Sequence, residues 1–179
     1  MPVNINRRKA IQSILIVSAT AVLFPYCREA DKSVMQLKNY NINSNQQDML
    51  AELCESILPK TKNFIGAKDL NAHGFVLKMM DDCQPPEKQK LFTAGLKAFN
   101  DLCDKKFNSS FVKCKATQRN ELLTQLKKGL NDEINTAAQF YGFTKVYTLQ
   151  CFTGSKEYMT AIKKYKIVPA GNFKACVKI

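Results

Sequence analysis

Apolar residues return along this chain in steps of three and four, and prolines cut the pattern into lengths. Met49, Leu50, Leu53, Cys54, Ile57 and Leu58 form one such stripe, which Pro59 ends. Ala72, Phe75, Val76, Met79, Met80 and Cys83 form a second, closed by Pro85-Pro86. A 3.6-residue period places each set on one side of a helix, and a helix with one apolar side must bury it against another element. No alternating strand pattern of comparable strength competes. The expected fold class is therefore all-α, a compact bundle of about five or six helices.

Asn45 is the expected N-cap of the first helix. Pro86 suits the first turn of the third, where its missing N–H would have had no partner. Leu91, Phe92, Gly95, Ala98, Phe99, Leu102 and Cys103 line that helix until Asn108-Ser109-Ser110 breaks it. Thr117 is the expected cap of a fourth helix through Leu122, Leu123 and Leu126 to Leu130, stopping near Gly129 and Asn131. Asn131 is then the expected cap of a fifth, with Asp132 and Glu133 complementing the dipole of its first turn. The fifth is crowded with aromatics: Phe140, Tyr141, Phe143, Tyr147 and Phe152. Such crowding implies packing on two sides, against its own domain and against either more core or a partner. A short helix from Ser155 to about Lys164 precedes an extended tail, Tyr165 to Ile179, with turn residues Pro169 and Gly171.

The N-terminus reads differently. Arg7-Arg8-Lys9 precede an almost uncharged run from Ala10 to Tyr26, and Cys27 follows. That order is the order of an export signal, residues 1–26, ending at a lipid-modified cysteine, Cys27. The apolar stretch Ile14 to Phe24 is about eleven residues against the roughly 20 of a spanning helix, which favours a removed signal over a retained membrane helix. Either reading puts the remainder outside the cytoplasm, in the periplasm and membrane-anchored. Arg7 and Arg8 point to twin-arginine export of folded cargo, with the ordinary secretory route as the alternative. Phe24-Pro25-Tyr26 replaces the small residues that usually precede a lipoprotein cysteine. Residues 27–45, polar and without a period, are expected to be a flexible lipidated tether, leaving 46–179 as one helical domain.

The chain carries a formal charge of +12, and losing residues 1–26 removes three basic groups and no acid, leaving 24 against 15, or +9. Such a surface favours an acidic protein or anionic headgroups. Nucleic acid is disfavoured, since neither a zinc finger nor an aromatic-and-basic ribonucleoprotein pattern is present. Lys105-Lys106, Lys127-Lys128 and Lys163-Lys164 read as solvated helix faces, with partner binding as the alternative. Besides Cys27 there are Cys54, Cys83, Cys103, Cys114, Cys151 and Cys176. In an exported protein they could pair as disulfides, or Cys54, Cys83 and Cys103, on apolar helix faces, could remain buried thiols.

Motifs for chemistry are sparse. The cysteine spacing fits neither covalent haem attachment, iron–sulfur ligation nor a zinc ribbon, and no glycine pattern cradles a phosphate or dinucleotide. No cofactor is expected in this chain. The single histidine, His73, lies four residues after Asp69, so a general-base dyad competes with a plain helix-start aspartate beside a packed histidine. Asp81-Asp82 and Asp132-Glu133 raise a hydrolase possibility, but neighbours on a helix point about 100° apart and share no site. Met79-Met80 suits a core better than a soft metal site. Cys176 near the C-terminus is a poor fit to a prenylation box, with Lys178 inside it.

Ile57-Leu58-Pro59-Lys60-Thr61, then Ile65-Gly66-Ala67-Lys68-Asp69-Leu70 with Phe75 beyond, resemble the small third subunit of gluconate 2-dehydrogenase. Phe92-Thr93-Ala94-Gly95-Leu96 with Phe99, the aromatic fifth helix, and Tyr165 to Cys176 are similar to that family as well, so the likeness runs from about Gln46 to Cys176. The resemblance implies a non-catalytic accessory subunit beside a large flavoprotein dehydrogenase that oxidises a sugar or sugar acid, and often beside a multihaem cytochrome c. FAD and haem would sit in those partners. It implies that this subunit supplies the export signal and is needed for its partner to mature, and it assigns no catalytic residue here. The expected partner-binding surface is Phe140, Tyr141, Phe143, Tyr147 and Phe152. Charged replacements of Tyr141 and Tyr147 are expected to release the flavoprotein and leave the helices intact. The rivals are a stand-alone lipoprotein binding a small ligand between its helices, and an enzyme built on His73 and Asp69.

Overall fold

A computed structural model describes residues 34–129 and 135–165. Cys27, Arg7, Arg8, the tail beyond Tyr165, Cys176 and the expected cap Asn131 with Asp132 and Glu133 lie outside the described residues. Within them are six α-helices and no strand: α1 (Ser44–Ile57), α2 (Ala72–Cys83), α3 (Pro86–Phe107), α4 (Ala116–Lys128), α5 (Thr136–Thr153) and α6 (Lys156–Ala161), with a 3₁₀ turn at Phe111–Lys113 before α4. The all-α expectation holds.

Three helix starts differ from expectation, each for a local reason. The cap of α1 is Asn43, not Asn45: its Oδ1 accepts the Gln46 N–H at 2.8 Å while Gln46 Oε1 accepts the Asn43 N–H at 2.9 Å. That reciprocal pair satisfies two orphan donors, which Asn45 could not do from inside the turn. Thr117 falls inside α4, which starts after extended Lys115; Gln118 reaches back to accept the Lys115 N–H at 2.8 Å. The α5 cap is Asn135, accepting from the Ala138 N–H at 3.0 Å. Pro86 opens α3 as expected, and Asn108 closes it in the left-handed conformation that asparagine tolerates.

The central helix is α5. It packs most extensively against α3 and next against α2, and also touches α1, α4 and α6. Its apolar residues are spread round the axis because neighbours surround most of it. Phe140 is fully buried, with ring centroids 5.0 Å from Phe92 and 5.6 Å from Phe99, and Phe99 lies 5.1 Å from Phe111. Gly95 lets α3 come this close: a Cβ there would sit 2.5 Å from both Phe140 Cβ and the Thr136 carbonyl oxygen.

Part of the expected tether is not a tether. Over residues 34–43 the chain lies as a strap against the bundle, with Ile42 buried and Val34, Met35, Leu37 and Tyr40 packed on the core. Asp81 at the end of α2 holds it: its carboxylate accepts the backbone N–H groups of Lys38 (2.7 Å) and Asn39 (2.9 Å), while its carbonyl oxygen accepts from the Asn39 amide at 2.9 Å. The Tyr40 hydroxyl donates to the Leu77 carbonyl at 3.1 Å. Polar composition suggested a solvated linker because its partners, 37 to 43 residues away, leave no local trace.

Candidate docking face on the central helix

The aromatics expected to bind a partner are divided by the fold. Phe140 is wholly buried and Tyr141 only 2% exposed, so neither presents a surface, and a charge at Tyr141 would disrupt the core rather than spare the helices. Tyr147 is also buried, and its hydroxyl accepts from the Gln84 side-chain amide at 2.7 Å. Burial raises the phenol pKa of Tyr141, and it raises that of Tyr147 with a further push from Cys83. Phe143 is half-buried on the outer side of α5. Phe152 belongs to a separate cluster at the end of the helix, edge-on to Phe64 (6.2 Å) and Tyr158 (5.2 Å).

What α5 does present is a stripe the aromatic count passed over. Val146 is 61% exposed, the most of any large apolar residue described, and Leu149 is 39% exposed. With Gly142, Phe143, Tyr147, Gln139, Gln84, Lys88 and Lys145 they line an open groove of about 590 Å³. A second hollow of about 330 Å³ lies between α1, α4 and α5, lined by residues including Ile57, Leu123, Lys127 and Tyr141. Lys145 and Leu149 line both, forming the ridge that divides them. The spacing 139, 142, 146, 149 is itself a helical stripe, opposite the buried set 137, 140, 144 and 148. Sorting α5 into two stripes by residue number would have found it.

The other candidate residues resolve into structural roles. Asp69 does not orient His73; it pairs with Lys60 Nζ at 3.0 Å and accepts the Gly66 N–H at 3.3 Å. His73 is half-buried with Nδ1 unpaired; burial lowers its pKa, Asp48 opposes that and Lys68 adds to it. Asp81 holds the strap and Asp82 pairs with Lys38 Nζ at 2.8 Å. Met80 is fully buried and Met79 packs on the core. Among the described residues no cluster of histidine, cysteine and acidic groups could hold a metal. Cys54, Cys83, Cys103, Cys114 and Cys151 are free thiols; Cys54 and Cys103 are buried as expected, but Cys83, at the end of α2, is exposed. Burial raises the Cys54 thiol to about 12, although the Thr148 hydroxyl lies 3.3 Å from its sulfur.

The segments 57–61 and 65–70 form a loop folded round a carboxylate. Glu55 accepts the backbone N–H groups of Lys60 (2.8 Å) and Lys68 (2.9 Å), and a Cβ on buried Gly66 would lie 2.5 Å from Glu55 Oε1 and 2.8 Å from the Lys60 nitrogen. One turn earlier, Glu52 pairs with Lys68 and with Arg119, the latter at 2.8 Å. Arg119 also donates to the carbonyls of Phe111 (3.1 Å) and Val112 (2.6 Å), fixing the 3₁₀ turn to α1. Burial would raise the Glu52 pKa, but the two cations hold it below the ordinary carboxylate value.

The fold and face define a small all-helical protein whose central helix keeps one apolar stripe uncovered. The chain belongs to the gluconate 2-dehydrogenase subunit 3 family, whose model matches residues 44–170. No curated protein and no solved structure matches it. The matched span contains the carboxylate-wrapped loop and the whole of the α5 face.

Proposed function

We propose that this protein is a non-catalytic accessory subunit that escorts, stabilises and tethers to the membrane a flavin-dependent sugar or sugar-acid dehydrogenase. The observation that carries the reading is the uncovered stripe of Val146 and Leu149 on the central helix of a member of a subunit family. Exposed apolar area of this kind is costly in water and marks an interaction site when it is contiguous and rimmed by polar groups. Phe143 and Tyr147 contribute the wall and floor, and Phe152 lies outside the contact.

Catalysis in this proposal belongs to the partner, which holds FAD, and a cytochrome c subunit with haem passes electrons onward. The N-terminal residues supply the address: Arg7 and Arg8 for export, and Cys27 for acylation at the periplasmic membrane surface. Co-expression of the tagged full chain with the flavoprotein encoded beside it tests the reading. The flavoprotein co-purifies, and dye reduction with a sugar or sugar acid appears only when the flavoprotein is present. Turnover by the isolated chain, or a flavoprotein that matures and localises equally without it, overturns the proposal.

A stand-alone lipoprotein is favoured by one observation, the groove volume of about 590 Å³, which suits a small molecule. It predicts saturable ligand binding by the isolated protein.

A further inference from the structure

We infer that the α5 groove recognises an acidic amphipathic segment of the partner, whose apolar row seats between Phe143 and Leu149 while its carboxylates meet Lys88 and Lys145. The inference rests on the accessory-subunit reading and names the chemistry of what docks there. Two observations support it. The groove has an apolar centre in Val146, Leu149 and Phe143, and the Gln84 amide already occupies the Tyr147 hydroxyl at its floor. Its charged lining is of one sign: Lys88 and Lys145 here, Lys127 and Lys145 in the adjoining hollow, with no acid in either.

Three other occupants are possible, and charge discriminates against them. The chain's own residues 166–179 bring Lys166, Lys174 and Lys178 and no acidic side chain to a site already cationic. A second copy, at formal charge +12, would oppose its own lysines to the same lysines. A small neutral molecule could fill the groove and would use neither cation. An acidic segment with one apolar face uses both features, in the helix-in-groove mode of recognition. Lysines at the rim then govern encounter rate and salt dependence, while the centre governs residence time.

The test uses two synthetic helical peptides of about 18 residues. They share one leucine row, which is flanked by glutamates in one and by lysines in the other. Each is titrated onto the full chain by fluorescence anisotropy at low and physiological salt. The glutamate peptide binds about tenfold tighter than the lysine peptide and loses affinity as salt rises. The double variant Lys88→Glu/Lys145→Glu reverses the order, and Val146→Asp abolishes binding with the circular dichroism spectrum and melting midpoint unchanged. Equal affinity for both peptides, binding of neither, or glutamate-peptide binding untouched by Val146→Asp overturns the inference. So does a neutral apolar dye that saturates the groove and is not displaced by the glutamate peptide. No dehydrogenase is present, so failure here leaves the co-purification result standing, and failure of co-purification leaves this result standing.

Discussion

The Asp81 carboxylate lies 2.7 Å from the backbone nitrogen of Lys38, joining the end of α2 to a strap 43 residues earlier in the chain. Asparagine at this position keeps one acceptor and turns an amide NH₂ toward a backbone donor. Asp81→Asn should cost about 1.5–3 kcal/mol, the range for a hydrogen-bonded charged group. Chemical denaturation gives the loss, and limited proteolysis should show earlier cutting between residues 34 and 43. An unchanged midpoint together with unchanged cutting would show that the strap is held by its apolar side chains alone.

Acid should destabilise the fold in two descents. Burial puts the folded pKa of His73 below its unfolded value, so the neutral ring favours the native state. That contribution is complete above about pH 6.5 and is lost as pH falls below it toward the folded value. Asp48 and Lys68 are the charged groups facing the ring and pull in opposite directions. Asp81 and Glu52 also have lowered pKa values: burial opposes the shift, and the strap N–H groups and the Lys68 and Arg119 cations respectively outweigh it. Their contribution is complete above about pH 5 and disappears as pH falls through their folded values. His73→Gln should remove the upper descent from a melting-temperature profile and retain the lower; a profile with both descents intact contradicts the assignment.

Arg119 tests whether the 3₁₀ turn depends on guanidinium geometry. It bonds Glu52 and two carbonyls at once, and its carbon lies 5.1 Å from the Phe111 ring centroid. Lysine keeps the charge and loses the planar fork. Arg119→Lys should therefore cost about 1–2 kcal/mol, and a double-mutant cycle with Glu52→Gln should give a coupling of about 0.5 kcal/mol or more. A coupling of zero would mean the pair is incidental.

The contact between α3 and α5 leaves no room at Gly95. Gly95→Ala should destabilise by about 1–3 kcal/mol through overpacking, although alanine is the better helix former. Phe140→Ala should cost about 3–5 kcal/mol by leaving a cavity beside Phe92 and Phe99. Both are read from thermal or chemical melts. A stabilised Gly95→Ala would show that the helices separate at little cost.

Helix number, the Pro86 start and the stops near Pro59, Asn108 and Gly129 were legible in the sequence because each follows from local backbone chemistry. The cap at Asn43 is also local: Gln46 three residues on completes a capping box, whereas Asn45 is followed at that spacing by Asp48. The strap was not legible, since Asp81 meets Lys38 only after the bundle forms. Aromatic crowding in α5 carried true information about packing and misleading information about exposure. Phe140 and Tyr141 look like anchors as letters; they are core because α3 covers Phe140 and because Tyr141 lies where α1 and α4 meet α5. The exposed residues are Val146 and Leu149, which stand out only once the helix is divided by angle. His73 and Asp69 were spaced as a dyad, but Lys60 took the aspartate.

Met35, whose N–H donates to Gln47 Oε1 at 3.0 Å, is the outermost backbone tie of the strap described. Eight peptide steps separate it from Cys27, so an acyl group on that cysteine would act through a leash of at most about 28 Å. That is less than the width of a small bundle. Releasing both the Gln47 tie and the Asp81 tie would lengthen that span without altering any residue that lines the α5 groove.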